Sequence, residues 1–432
     1  MNASLTSPAT PTSFAAQIGI DWGNRMHAVS LRDAATGQRE RLTLENTPET
    51  LHRFFCDLGQ RFGRQPVAIG FEKTRGLLVN VMRQYPFVTA LPLNPASVHA
   101  YRQVFTPSGA KCDTKDADVM LDLIVRYEGK LPPELPDEPA IRQLAGLCEE
   151  RRAAVDSGTR LAQELRAKLN AYFPQALTLV GGELTTALAC DLLSRWPDLV
   201  AFQRSQAQTV RDFYYAHHCR SEARLAERLA LHHDGMPSCT DEPTVAPLRF
   251  AVQRMVRQLR TLINSQDEVQ QAIDTLFATL PDAALFRSFP GAGPVLAPRL
   301  LAAFGTNRSR YPSASHLQCA SGIAPVTEQS GHGEWIHFRW KRPHFLHQTF
   351  YEYAQASLKS SRWAQAYLKY RKDHDKNYRH SAVIRALAFK WQRIMHACWQ
   401  AHSLYDEQAY LQRLMRHHAP ICAYLEPLEE CS

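Results

Sequence analysis

The chain has 432 residues, of which 45% are hydrophobic, 21% charged and 9% aromatic, with a formal net charge of +8. That length fits two to four domains of about 100–200 residues, and the composition excludes disordered, collagen-like, coiled-coil-rod and low-complexity chains. No run of about 18 apolar residues exists, and the N-terminal MNASLTSPATPTSFAAQ lacks a basic n-region and a long apolar h-region, so a soluble, unexported protein with no membrane partner is expected.

Residues 1–15 are rich in Ser, Thr, Pro and Ala and read as a loose tail. Gln17–Ile20, Ala28–Arg32 and Arg41–Leu44 are extended candidates separated by Gly23-Asn24 and Thr36-Gly37, a three-stranded meander. Thr47, Pro48 and Glu49 supply a cap, a first-turn proline and an acid ahead of the apolar stripe Leu51, Phe54, Phe55 and Leu58. Val67–Phe71 reads as a buried strand, Leu77–Gln84 as a short helix, and Phe87–Leu93 as a strand closed by Asn94-Pro95. This order is that of a ribonuclease-H-like α/β layer. From about Pro139 the period becomes helical, through Ile141, Leu144, Leu147, Leu161, Leu165 and Leu169, and again from Val252 to Leu276. Long amphipathic helices of this kind pair within a chain or between chains. Residues 175–245 read as shorter helices broken by Gly181-Gly182, Pro197 and Pro237. Ten cysteines are scattered without a CxxC pair, which suits reduced cytoplasmic thiols, and no second cysteine pair completes a zinc set with His217-His218-Cys219 or His232-His233.

The positive charge is concentrated. Between His337 and Met395 there are thirteen Lys/Arg against three Asp/Glu, leaving the rest of the chain near −2. Twelve aromatics share that window, among them Trp340, Tyr351, Trp363, Tyr367, Tyr370 and Trp391. Basic residues interleaved with aromatics can neutralise phosphates and stack on bases; the plainer reading is a solvated basic face over an aromatic helical core. Lys341, Arg342, Lys369, Arg371, Lys372, Lys376 and Arg379 are the candidate nucleic-acid contacts.

Four acids are candidates for chemistry. Asp21 ends the strand in GIDWG, and Glu72 ends the strand Val67–Phe71. Asp113 and Asp116 head a helix running through Tyr127, and their i,i+3 spacing puts them on one face, whereas Asp118 is rotated away. Two carboxylates about 4 Å apart repel by roughly 4 kcal/mol at an effective dielectric of 20, so such a cluster calls for a cation. All-oxygen ligands favour Mg²⁺ or Mn²⁺, the ions of two-metal phosphoryl transfer. Taken singly, each acid is equally a cap, a dipole partner or a turn residue. Two further segments stand out. Phe289-Pro290-Gly291-Ala292-Gly293-Pro294 opens a helix over Val295–Phe304, either a phosphate-binding turn or a tight helix corner. Ser330 precedes Gly331 and Gly333, which remove bulk around its hydroxyl.

The order GIDWG, GFEKTRG, KCDTKDAD, a helical spacer, FPGAGPVLAPRLLAAFG and SGIAPVTEQSGHG resembles the DEDD transposases of bacterial insertion sequences, the IS-one-ten group of bridge-RNA-guided recombinases, from about residue 16 to about residue 395. The resemblance implies a multidomain protein: tail 1–15, a RuvC-like metal-dependent domain 16–130, a helical coiled-coil dimerisation region 131–280, a mostly helical C-terminal transposase domain 281–400 and a helical tail 401–432. It implies that Asp21, Glu72, Asp113 and Asp116 hold Mg²⁺ or Mn²⁺, and that Ser330 attacks a DNA phosphate to form a phosphoserine link. It further implies a DNA transposase or recombinase acting on donor and target DNA chosen by base pairing with a structured noncoding bridge RNA. The expected protein is a dimer assembling to a tetramer on DNA, cytoplasmic and nucleoid-associated in a bacterium. Lys73 and Arg75, beside Glu72, are placed to contact the scissile phosphate or to face solvent, and Cys112 stands where the family usually has a polar residue.

Two other enzymes share parts of this pattern. A stand-alone RuvC-like nuclease would use water as nucleophile and form no covalent adduct. A sugar-kinase or actin-like ATPase also begins with a GIDWG-type phosphate loop, but its second phosphate loop and glycine-rich adenosine motif are missing from the sequence. A non-catalytic nucleic-acid scaffold would explain the charge and leave the order of the acids as coincidence.

Overall fold

A computed structural model describes residues 13–72, 76–105, 113–134, 137–331 and 333–425. The chain divides into two compact units, Met1–Pro136 and Asp137–Ser432.

The first unit is a five-stranded mixed sheet with helices on both faces. Its elements are β1 (Ala16–Asp21), β2 (Met26–Asp33), β3 (Arg39–Glu45), α1 (Pro48–Arg61), β4 (Val67–Phe71), α2 (Leu77–Met82), β5 (Val88–Pro92), α3 (Pro95–Phe105) and α4 (Asp113–Arg126). The sheet order is β3-β2-β1-β4-β5. The meander pairs antiparallel, while β4 and β5 run parallel to β1. The helix α1 begins where Thr47 and Pro48 signal: the Thr47 hydroxyl accepts from the Thr50 amide at 3.3 Å.

Strand alternation divides the sheet's two faces. Ile18 and Ile20 of β1 and Val67, Ile69 and Phe71 of β4 pack with Leu51, Phe55 and Leu58 of α1. The opposite face of these strands carries Gln17, Gly19 and Asp21, and Ala68 and Gly70, and receives α4. Gly19 pairs with Gly70 across the parallel ladder. A Cβ on Gly19 would stand 2.2 Å from the Ala117 carbonyl oxygen, and one on Gly70 would stand 2.4 Å from Cδ1 of Ile124. The two glycines therefore let the helix sit directly on the strands.

The second unit is almost entirely helical. Two long helices, α5 (Pro139–Tyr172) and α11 (Glu242–Ala278), are separated by α6 (Gln175–Leu179), α7 (Ala187–Arg195), α8 (Leu199–Gln203), α9 (Ala207–Ala216) and α10 (Glu222–Asp234). At about 1.5 Å per residue each long helix spans roughly 50 Å. They pair antiparallel within the chain: Cys148 of α5 shares a cavity with Ile273 of α11, whereas Gly158 faces Leu259 and Gln266. Leu144, Leu165, Leu169, Val252, Val256, Leu259 and Ile273 are all at most 2% exposed. The apolar stripes are thus consumed inside one chain.

The remainder comprises α12 (Ala283–Arg287), α13 (Gly293–Phe304), α14 (Ala314–Ala320), the hairpin β6 (Val326–Ser330) and β7 (Gly333–His337), α15 (His344–Ser357), α16 (Arg362–His374), α17 (His380–Gln400) and α18 (Glu407–Arg416). Its core is aromatic, with Trp363, Trp391, Trp399, Tyr353, Phe286 and Phe289 fully buried or nearly so. No helix among the described residues is long and apolar enough to cross a membrane.

Candidate active site and nucleic-acid surface

The parallel pairing of β1 with β4 ends at Ile20 and Phe71, so Asp21 and Glu72 follow one another at neighbouring C-terminal strand ends. Adjacent strands lie about 4.8 Å apart. Two residues on from Gly19 and Gly70, both acids continue the face that α4 covers. α4 runs against β1, with Glu128, just beyond the helix, at Gln17 and Ala117 at Gly19. Its N-terminus, with Asp113 and Asp116, therefore lies toward the strand end that carries Asp21 and Glu72.

The two helix acids differ in setting. Asp113 is exposed, and Asp116 is 5% exposed. Arg102 of α3 donates from Nη1 to both Asp116 carboxylate oxygens, at 2.9 and 3.0 Å, and from Nη2 to His99. Asp118 and Asp122 are engaged by the sheet: Asp118 accepts from Ser30 at 2.7 Å and is paired with Arg41, and Asp122 is paired with Arg39. Asp116, Asp118 and Asp122 are thus all held by arginines, Asp116 by one on a helix and the other two by ones on the sheet.

His27 completes this end of the sheet. It is fully buried on β2, its Nδ1 accepts from the Gly23 amide at 3.2 Å, and its Nε2 lies 3.1 Å from Asn46 Oδ1. Burial lowers its pKa and holds the ring neutral, so it fixes the turn that follows Asp21. No spacing in the sequence marks it, because its partners come from two different turns.

An all-carboxylate donor set on rigid strand ends suits a hard divalent cation. Among the described residues no three His, Cys, Asp or Glu side chains are gathered closely enough to hold one. For Asp116 to serve as a ligand, its carboxylate would have to exchange Arg102 for the metal. Lys73, Arg75, Cys112 and His332 lie outside the described residues.

Ser330 is exposed at the end of β6 and pairs with Gly333 across a turn in which Gly331 has φ 58°. On the same face of the hairpin Glu328 accepts from His337 Nε2 at 2.9 Å, and this bond raises the His337 pKa. The ring's other nitrogen lies 3.1 Å from the Phe338 carbonyl. Glu328 and His337 are therefore partners of one another. The hairpin exposes Trp335, at 61%, and Trp340 follows it at 76%.

The basic window resolves into two layers. Trp363, Tyr367 and Trp391 are buried in the aromatic core and have no face free for a base. The plainer reading holds for them. Lys341, Lys369, Lys372, Lys376 and Arg379 are exposed, the last four on or after the C-terminal half of α16. Arg371 is half-buried and tied to Asp375 and the Tyr367 hydroxyl, and Arg342 donates to the Arg339 carbonyl. Likewise, the Pro-Gly-Ala-Gly-Pro turn is a helix corner: a Cβ on Gly291 would stand 2.8 Å from the Ala356 carbonyl oxygen of α15.

Comparison with known proteins agrees with this arrangement of segments. A transposase family model of the DEDD IS110 type matches residues 18–174, and a model described as transposase of the IS116/IS110/IS902 family matches residues 283–369. A Streptomyces coelicolor mini-circle protein, named as a putative transposase for IS117, is 26% identical over 92% of this chain and 97% of its own length. The 43.6 kDa protein of insertion element IS110 from the same organism is 25% identical over 73% of this chain and 78% of its own. The 42 kDa protein of IS900 from Mycobacterium paratuberculosis is 24% identical over 68% and 73%. The chain belongs to the IS110 group of transposases. The first matched segment contains all four candidate acids and the second contains Ser330.

Proposed function

We propose that the protein cuts and rejoins the DNA ends of an insertion sequence, with Asp21, Glu72, Asp113 and Asp116 as ligands for Mg²⁺ or Mn²⁺ and Ser330 as nucleophile. The observation that carries the reading is that two strand ends and one helix N-terminus, each bearing an acid, lie toward the same end of the sheet in a chain of this family. The sheet order β3-β2-β1-β4-β5 supports a ribonuclease-H-like, RuvC-type domain over residues 16–130. Residues 131–280 are assigned to assembly, and 281–400 to the serine-bearing transposase domain.

The Ser330 hydroxyl loses its proton as Oγ bonds to a DNA phosphorus, and the phosphorus–oxygen bond to the leaving DNA hydroxyl breaks as that oxygen takes up a proton. Rejoining is the reverse, with a different DNA hydroxyl attacking the phosphoserine. A serine hydroxyl needs a base near neutral pH. Within the serine's own segment only Glu328 and His332 are candidates; Glu328 is bonded to His337, and the role is assigned to the acid set, in the same chain or from a second subunit. When bound, the divalent cation supplies countercharge to the carboxylates and the phosphate oxygens. Exposed Lys341, Lys369, Lys372, Lys376 and Arg379, with Arg342 and Arg371 behind them, hold the nucleic acid. Donor and target choice is assigned to a structured noncoding bridge RNA, and the working form to a dimer that becomes a tetramer on DNA, free in the bacterial cytoplasm and on the nucleoid.

Mixing Ser330→Ala protein with Asp21→Asn protein tests the shared roles. Restored cleavage by the mixture, with neither variant active alone, is expected if subunits share a site. Full strand exchange by Asp21→Asn alone would remove the metal-ligand assignment.

A further inference from the structure

Trp335 is exposed on the same hairpin as Ser330, and its indole has no place in the catalytic set or the basic surface. The strand register puts the two residues on one face. Ser330 pairs with Gly333 and Glu328 with Trp335, and directly paired residues of an antiparallel ladder point to the same side. Two residues on from Gly333, Trp335 is therefore the diagonal neighbour of Ser330, at a separation of about 7–8 Å. Its ring stacks on His337, with centroids 4.3 Å apart and planes 28° from parallel. His337 is in turn held by Glu328 at 2.9 Å, so the imidazole is a fixed backing for the indole. Because His337 lies further along β7, the uncovered indole face looks back along the strand toward Gly333 and Ser330.

The ground in front of that face is bare. Gly331 adopts a left-handed φ of 58°, but Gly333 does not lie in that region. A Cβ on Gly333 would meet only the Ser330 carbonyl oxygen, at 3.4 Å, which is an ordinary contact. The hairpin itself thus has no need of glycine at this position, where glycine weakens a strand, and the missing side chain leaves a slot between the indole and the Ser330 hydroxyl. Charge indicates what fills it. Glu334 is on the opposite face, paired with Gln329, and Glu328 is bonded to His337. β7 leads directly into Arg339, Lys341 and Arg342, of which Lys341 is exposed. A flat apolar group joined to negative charge suits an indole beside these cations, and a nucleotide offers both through its base and its phosphate. Inside a duplex each base is covered by its neighbours on both sides, so the base that stacks here has left the stack.

We propose that Trp335 is the stacking platform for one unpaired DNA base and that, by holding this base, it sets the adjoining phosphate at Ser330. Trp335 is a positioning residue, with His337 as its backing and Gly333 as the clearance for the base. The placement of the phosphate rests on Ser330 as nucleophile; the stacking does not.

The test uses the full chain in EDTA and a short single-stranded DNA with 2-aminopurine at its centre, a base whose emission falls on stacking. The unmodified protein should quench it. Trp335→Ala, at an exposed position, should keep the melting temperature, lose most of the quenching and bind about fivefold or more weakly. Trp335→Phe should recover much of both. Gly333→Val should melt no lower than the unmodified protein, since a branched residue suits a strand, yet quench poorly because its side chain fills the slot. The same DNA annealed to its complement should show no quenching that depends on Trp335. Equal quenching and affinity for Trp335→Ala and the unmodified protein, or a loss seen in Trp340→Ala instead, would overturn the proposal. Cleavage in Mg²⁺ separates the proposal from the role of Ser330. At saturating DNA, Trp335→Ala should slow formation of the protein–DNA adduct and Trp335→Phe should restore it; an unchanged rate of adduct formation at Ser330 would overturn the positioning role and leave the nucleophile in place. Quenching that depends on Trp335, together with an adduct on another residue, would remove Ser330 and leave the platform standing.

Discussion

Arg102 and Asp116 form a pair whose side chains are 15% and 7% exposed. Removing one partner of such a pair strands the other's charge, at a cost of roughly 3 kcal/mol. Arg102→Ala should therefore lower the stability of the full chain by about that amount, read by urea unfolding in EDTA. Mg²⁺ should return part of the loss, because Asp116 can then meet a different cation; no recovery would argue against Asp116 as a metal ligand. His347 provides a second check. Burial, and then Arg342, Arg385 and His344, lower its pKa to about 4 from 6.5. Because the folded value lies below the unfolded one, the neutral ring stabilises the fold fully above about pH 6.5, and this contribution is lost as pH falls toward 4. An NMR titration should show a midpoint near 4 that rises when nucleic acid neutralises Arg342 and Arg385. A midpoint of 6.5 without nucleic acid would contradict the burial of this ring among cations.

At the level of elements, the seat of α4 on β1 and β4 decides where Asp113 and Asp116 are held. Gly19→Ala would drive a methyl into the Ala117 carbonyl, so it should destabilise by about 1–3 kcal/mol and abolish cleavage, although no acid is touched. Wild-type melting and cleavage by that variant would mean that the helix can shift without moving the site. Much of this layer was legible in the sequence, because strong local signals agree there with the tertiary packing. Val67–Phe71 is a strand with those limits, and Thr47 caps α1 as its spacing indicates. Asn94-Pro95 was legible only as a stop. In the fold Asn94 accepts from the Ala96 amide and Pro95 begins α3, the same cap-and-proline signal as Thr47-Pro48. The residues before Ser330 carry no strand expectation in the sequence, yet they form a hairpin, because their partner strand Gly333–His337 begins only after the turn. Arg102, fourteen residues from Asp116, and His27, nineteen from Asn46, are invisible to local pattern since tertiary pairing alone brings them to their partners.

For the whole molecule, the division after Pro136 separates an α/β unit carrying four candidate acids from a helical unit carrying Ser330 and the basic surface. The stripes of α5 and α11 are buried within one chain, so the proposed assembly is assigned to the outer faces of these helices and not to the stripes. Charge reversal of Lys369, Lys372, Lys376 and Arg379 should make nucleic-acid affinity less steeply salt-dependent, by about 0.7–0.9 in log–log slope for each phosphate that is no longer neutralised. Arg371→Glu is the poorer test, because it also breaks the pair with Asp375. An unchanged slope would mean that α16 faces solvent in the complex. Under the proposed function, Ser330 Oγ forms the covalent link to DNA. Its most direct measurement traps the reaction on a DNA end and identifies the modified peptide by mass spectrometry. A DNA phosphate is expected on the peptide containing Ser330 and is absent in Ser330→Ala; strand cleavage with no protein-linked DNA, or a link to any other residue, would overturn the assignment of Ser330.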